Sequence, residues 1–257
     1  DVGTITNVKV EIGTKALDDA TGLNMGSSVG ENTTIVDTVH YKNIKPGKTY
    51  TMKASLLDKA SGEILAKADK EFKPGSRDGE VDVNIELATS KVRGKTVVVF
   101  EELFDGTMKI AEHTDINDEK QTVVYPEIKT SASSVDTKAH DAQTSKTTKI
   151  IDKVSYSNLI PGKSYEMTGT LMDKATKKPL DGTKVTKKFT AEAANGYVDL
   201  EFVIDSSKLG GQTLVAFESL KYRNVEVAVH ADINDHDQSV YFPEIKTLAT
   251  SNDTKDK

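Results

Sequence analysis

The chain has no cysteine and no tryptophan among its 257 residues. Without cysteine there is no disulfide, no thiolate metal site and no cysteine nucleophile. No apolar run approaches the roughly 18 residues that suggest a bilayer-spanning helix. No secretory signal stands at the start, so the sequence reads as a mature or excised piece without membrane insertion. Basic residues number 34 against 40 acidic ones, a net charge of −6, and no basic stretch stands out. That balance argues against a nucleic-acid groove. The remaining composition, 36% hydrophobic and 29% charged, is that of a soluble folded protein.

What the chain does have is duplication. HTDINDEKQTVVYPEIKT at 113–130 returns as HADINDHDQSVYFPEIKT at 230–247, identical at 12 of 18 positions. TTIVDTVHYKNIKPGKTYTMKASLLDKASGEIL (33–65) pairs with TTKIIDKVSYSNLIPGKSYEMTGTLMDKATKKPL (147–180), and VVVFEEL (97–103) with LVAFESL (214–220). The offset is 115 residues between Pro46 and Pro161 and 117 between His113 and His230, which a two-residue insertion near Asp181-Gly182 explains. Two domains of ordinary size follow. They are expected at 1–126 and 127–246, with 247–257 the truncated start of a further repeat or a tail, because PEIKTLATS begins at 243.

Each unit is expected to be all-β. Short runs of Val, Ile, Thr and Tyr are separated by turn signals such as PGK, DKASGE, PGSRDGE, AANGY and LGG. A brief helical turn is expected only around ELATSKVRG (86–94). Strands at this spacing point to two tandem immunoglobulin-like β-sandwiches, without the usual cystine and tryptophan.

Alternation along each strand shows which side chains share a face. Thr14 falls with Val10, Ile12 and Ala16, and Thr130 with Ile128 and Ala132. Asp37 shares parity with Ile35, Val39 and Tyr41, and Asp152 with Ile150, Val154 and Tyr156. A carboxylate on an apolar face costs several kcal/mol unless it is neutralised or partnered. An Asp that ties down a loop is the competing reading. Gln121 falls with Val123 and Tyr125, and Gln238 with Val240 and Phe242. Glu101 and Glu218 close strands that are apolar on both faces, so parity does not place their carboxyls. Simple alternation sets His230 opposite Val227 and Val229, and both His113 and His230 outside the core, unless a bulge re-aims them. His40, His140 and His236 have no repeated counterpart and are expected at the surface.

These residues carry a resemblance. VAFE at 215–218 and VVFE at 98–101, the starts IGTKA and IKTSA, and the ends HTDINDEKQ and HADINDHDQ resemble the ester-bond domains of Gram-positive surface adhesins. The likeness covers essentially the whole chain. It implies CnaB-like sandwiches, each with an intramolecular ester between a first-strand Thr and a last-strand Gln. By position the bonds would join Thr14 to Gln121 and Thr130 to Gln238. The family pattern gives His113 with Asp118, and His230 with Asp235, the role of proton carrier; Asp115 and Asp232 are also repeated and remain open as the ring's partner.

The chemistry such a bond needs is general. A hydroxyl is a weak nucleophile and an amide a poor electrophile, so both require activation. A carboxylate-oriented His can take the hydroxyl proton and later deliver it to departing ammonia. Two carboxyls in an apolar site share a proton, and the protonated one can donate a hydrogen bond that polarises the Gln carbonyl and stabilises the tetrahedral oxyanion. Asp37 with Glu101, and Asp152 with Glu218, suit that role. The expected reaction is a single self-modification, not turnover, and needs no cofactor or metal.

The resemblance further implies stalk repeats of an extracellular, cell-wall-anchored adhesin, monomeric, whose partners are neighbouring repeats. A host-surface ligand would be met by a domain outside this stretch. A ligand-binding module is the rival of a different class. A Lys–Asn or Lys–Asp isopeptide domain of similar fold is a second rival, but Thr stands where the inward Lys would be.

Overall fold

The computed structural model describes residues 8–249; residues 1–7 and 250–257, with most of the expected third repeat start, lie outside the described residues. Seventeen strands and two short 3-10 helices follow one another. The first unit holds β1 (Glu11–Asp18), β2 (Asn32–Lys42), β3 (Tyr50–Asp58), β4 (Ile64–Phe72), β5 (Gly79–Ala88), β6 (Thr96–Asp105), β7 (Met108–His113) and β8 (Thr122–Val124). The second holds β9 (Glu127–Ser134), β10 (Thr148–Ser157), β11 (Ser164–Asp173), β12 (Lys178–Pro179), β13 (Val185–Thr190), β14 (Gly196–Ile204), β15 (Thr213–Tyr222), β16 (Val225–His230) and β17 (Ser239–Tyr241). One 3-10 turn, Thr89–Lys91, lies inside the stretch where a helical turn was expected; the other, Glu119–Gln121, carries the glutamine.

The protein is all-β, two immunoglobulin-like sandwiches in series. In the first, a three-stranded sheet β1-β2-β5 faces the sheet β4-β3-β6-β7, with β8 also on β6. In the second, β14-β10-β9 faces β12-β11-β15-β16, with β13 on β11 and β17 on β15. Each sandwich has its own apolar core, Ile35, Met52, Leu56 and Leu103 in one and Ile150, Met167, Phe202 and Val240 in the other. The sequence difference near Asp181 has a structural counterpart. The single strand β4 becomes β12 and β13, interrupted by a turn with Gly182 at φ 72°.

First and last strands do not pair. β1 pairs only with β2, while β8 pairs with β6 in the opposite sheet. They meet across the open edge of the sandwich, where β1 lies against β7, β8 and the Gln121 turn. A bond there would fasten sheet to sheet, which no strand pairing among the described residues does at this edge; in the second sandwich one backbone bond, Ala132 N to Asp237 O at 2.8 Å, crosses it.

Candidate functional site

The alternation of β1 and β2 puts Thr14 and Asp37 on the inner face, with Asp37 wholly buried. The Thr14 hydroxyl donates to Oδ1 of Asp37. Across the sandwich, Glu101 and Gln121 are also wholly buried, and Gln121 Nε2 donates to Glu101 Oε2 at 2.6 Å. Asp37 is the charged neighbour that acts on Glu101. The second sandwich repeats this. The Thr130 hydroxyl donates to Asp152 Oδ1, and Gln238 Nε2 donates to Glu218 Oε2 at 2.9 Å.

Burial dominates the electrostatics. It pushes Asp37 above the usual carboxylate range, and burial plus the nearby Asp37 charge pushes Glu101 up to about 11. In the second sandwich burial and the Glu218 charge push Asp152 to about 10, and burial also raises Glu218. A pair of this kind titrates as a unit, and at neutral pH it keeps one proton. Oxygens left without a donor support that state. Asp37 Oδ2 and Glu101 Oε1, and Asp152 Oδ2 and Glu218 Oε1, are buried with no partner. A proton held between the two carboxyls of each pair gives them one.

The histidines turn inward because of a bulge. In β16 the register passes from Lys221↔Glu226 to Leu220↔Ala228, leaving Val227 unpaired; in β7 Ile110 is skipped in the same way. The extra residue resets the alternation, so Val227 and Ala228 are both buried, Val229 is exposed and His230 points back toward the site. This corrects the simple alternation, in which Val229 was inside and the ring outside. His113 then stands opposite Glu101 in the sheet, and His230 opposite Glu218.

Each ring meets one carboxylate beyond the pair. His113 Nε2 is 2.8 Å from Asp118 Oδ2, and His230 Nε2 is 3.3 Å from Asp235 Oδ2. His230 Nδ1 also approaches Glu218 Oε2 at 3.7 Å. Asp115 and Asp232 instead accept the Asn117 and Asn234 amides at 2.9 Å, closing turns. The hydroxyl, however, donates to Asp37 or Asp152 and not to the imidazole.

The amides are oriented from the backbone. Gln238 Nε2 donates to Ala216 O at 2.7 Å and to His230 O at 3.2 Å, and Gln121 Nε2 to His113 O at 3.4 Å. Carbonyls only accept, so the nitrogen is the atom that faces Glu218. Gln121 Oε1 is buried without a donor, and Gln238 Oε1 accepts only the Asp232 amide at 3.4 Å. The buried carboxyl therefore stands at the amide nitrogen, not at the carbonyl oxygen expected from sequence. Of the unrepeated histidines, His40 and His236 are exposed and His140 is half-buried, its Nδ1 3.0 Å from Ser239 O.

Sequence reasoning missed a second buried polar cluster. Asp18 is wholly buried and accepts the Thr33 hydroxyl at 2.8 Å, the Tyr125 hydroxyl at 2.9 Å and the Thr21 amide at 3.0 Å. The signal was present, since Asp18 continues the parity of Thr14 and Ala16.

A family model described as T-Q ester bond containing domain matches residues 10–125 and again 126–242. Among curated proteins nothing matches the chain. Among solved structures, it is similar to a bacterial adhesin from Mobiluncus mulieris containing intramolecular disulfide, isopeptide, and ester bond cross-links. The identity is 16%, over 83% of this chain and 81% of that one, with a TM-score of 0.41. A second crystal form of that adhesin gives 16% identity, 86% and 84% coverage and a TM-score of 0.42. A putative beta-galactosidase from Bacteroides fragilis is similar at 10% identity, over 78% of this chain and 32% of that chain, with a TM-score of 0.34.

Proposed function

The chain belongs to the family of T-Q ester bond containing domains, in two copies, and from that premise we propose that each sandwich welds itself through an ester, Thr14 to Gln121 and Thr130 to Gln238. One observation carries the reading. A buried carboxyl pair that keeps a proton touches the threonine hydroxyl on one side and the glutamine nitrogen on the other.

The steps balance within each site. Asp37 takes the hydroxyl proton as Thr14 Oγ1 attacks the side-chain carbonyl carbon of Gln121. The carbon–nitrogen bond then breaks, and the proton held on Glu101 passes to the nitrogen, which leaves as ammonia. The carboxyl pair ends with the proton count it began with. Asp152 and Glu218 do the same for Thr130 and Gln238. His113, held by Asp118, and His230, held by Asp235, flank the pair and seat the amide through their own backbone carbonyls. Folding brings nucleophile and electrophile together once, so the reaction is a single turnover driven by proximity.

The consequence is mechanical. Each bond closes a loop of just over 100 residues, for which the chain-entropy estimate is about 4.7 kcal/mol. Tension along the chain would load a covalent bond between sheets rather than peel strands apart. That suits stalk repeats of a bacterial surface adhesin, extracellular and held to the cell wall by other parts of the protein.

Intact mass tests the reading. We expect about 17 Da less than the sequence mass per sandwich, one ammonia each, and hydroxylamine cleavage should add about 33 Da to each, freeing the Thr hydroxyl and leaving a hydroxamate in place of the Gln amide. An unshifted mass overturns the ester, and a shift that resists hydroxylamine turns it into an amide.

A further inference from the structure

The joint between the two sandwiches is a loop of the first seated on the second. The Ser28 amide donates to Val227 O at 2.9 Å, the Ser28 hydroxyl to Pro126 O at 3.0 Å and the Ser27 hydroxyl to Glu226 O at 2.8 Å. Met25, wholly buried, and Leu23, partly buried, pack on the second sandwich's core. The seat has two walls, the entry to β9 (Pro126–Ile128) and the bulged start of β16 (Glu226–Ala228). The bulge matters here as well, because Val227 takes no part in the strand pairing and its carbonyl accepts the incoming amide.

The first sandwich carries the same seat. Repeat correspondence puts Val10–Ile12 where Pro126–Ile128 stand, and Lys109–Ala111 where Glu226–Ala228 stand. Ile110 is again the bulged, unpaired residue. The entering chain is tied identically at both seats. Asn158, in the left-handed region at φ 62°, donates its amide to Tyr125 O at 3.0 Å, and Asn43, at φ 64°, donates to Lys9 O at 2.9 Å.

Among the described residues nothing fills this second seat. Val10, Ile12, Ile110 and Ala111 line an open groove. Ile128, Val227 and Ala228 are 3%, 0% and 1% exposed, whereas Ile12, Ile110 and Ala111 are only half-buried. The loop shows the converse. Met25, Ser27 and Ser28 are buried at the joint, while their counterparts Asp141, Gln143 and Thr144 are exposed at the far end.

We propose that the groove between Val10–Ile12 and Ile110–Ala111 is a docking site for the 23–28 loop of another sandwich of this kind, joined in series ahead of Val10. The loop that fits is apolar at position 25 and carries hydroxyls at 27 and 28, as the first sandwich's own does. The inference uses only the observed joint and does not depend on the ester.

The absence of cysteine makes the test direct. In the present chain, Ala111→Cys should react readily with a thiol reagent and Ala228→Cys slowly. In an extended chain, with a copy of residues 10–125 placed directly ahead of Val10, Ala111→Cys in the middle sandwich should react at least about tenfold more slowly. Met25→Asp in the added copy should restore the fast reaction. The proposal is overturned if extension leaves the rate unchanged, if protection survives Met25→Asp, or if Ala228→Cys reacts as fast as Ala111→Cys. Should Ala111→Cys lose its cooperative melt, Lys109→Cys against Glu226→Cys gives the same comparison. Mass spectra of the same samples report ammonia loss separately, so failure of the ester and failure of the docking site are distinguishable.

Discussion

Asp118 and His113 are joined at 2.8 Å while the other Asp118 oxygen accepts the Lys120 amide at 2.8 Å, starting the turn that carries Gln121. One side chain thus sets the imidazole and presents the amide. Asparagine at 118 keeps the cap but removes the charge beside the ring. We expect Asp118→Asn to change stability by less than about 0.5 kcal/mol while slowing the first cross-link. Asp118→Ala should slow it and also cost about 1 kcal/mol of cap. A mass time course after refolding, together with urea unfolding, separates the two effects.

Removing the proposed nucleophile should destabilise one sandwich without the other. In Thr14→Ala only the first loses its weld, and only one ammonia is lost from the chain. The lost constraint of about 4.7 kcal/mol corresponds to a fall of about 20 °C in that sandwich's melting temperature. Calorimetry should show two transitions, with the one from the Thr130–Gln238 half unmoved. A single transition displaced as a whole would contradict independent welds.

How far the site was legible in the sequence depended on the strand each residue occupies. Thr14 and Asp37 sit on strands with one wet face, where parity alone reveals a polar residue turned inward, and Gln121, closing the 3-10 turn just before β8, continues the buried parity of Val123 and Tyr125. Glu101 follows Val97, Val98 and Val99, all wholly buried, so period two carries no information there. His230 needed the Val227 bulge, and a bulge leaves no mark in a run as uniform as VEVAVH. The joint was invisible for another reason. Met25 and Ser27 lie in a loop, where burial follows from the neighbouring sandwich and not from local pattern.

The carboxyl pair gives a pH signature once the weld is absent. In the double variant Thr14→Ala, Thr130→Ala the pair keeps its proton when folded, because burial raises Glu101 to about 11 and Asp152 to about 10. The unfolded chain releases that proton near pH 4. Above pH 4 the folded state therefore binds more protons, and stability falls as pH rises until the folded pair ionises. The slope cannot exceed about 1.4 kcal/mol per pH unit for each pair. Adding Glu101→Gln and Glu218→Gln should flatten it, which melting curves between pH 5 and 9 would show. A slope unchanged by the glutamines would mean that the pair ionises freely.

Tyr125 and Phe242 offer a reciprocal exchange. The Tyr125 hydroxyl reaches Asp18, so the end of the first sandwich is latched to its first strand by a buried hydrogen bond. At the equivalent positions the second sandwich has Phe242 and Ser134, and the Ser134 hydroxyl is buried without a partner. Tyr125→Phe leaves Asp18 with Thr33 and Thr21 as its remaining donors. It should therefore cost about 1 kcal/mol, the low end for a buried group losing a partner. Phe242→Tyr brings a hydroxyl toward Ser134, whose own hydroxyl lacks a partner and whose side chain is shorter than the Asp18 at the equivalent position. We expect the second sandwich to gain up to about 1 kcal/mol. Urea unfolding of the two variants measures both signs at once. A loss in Phe242→Tyr would mean that Ser134 sits in a space too tight for the added oxygen, and that the two ends are held by packing of different shape rather than by one latch present and one missing.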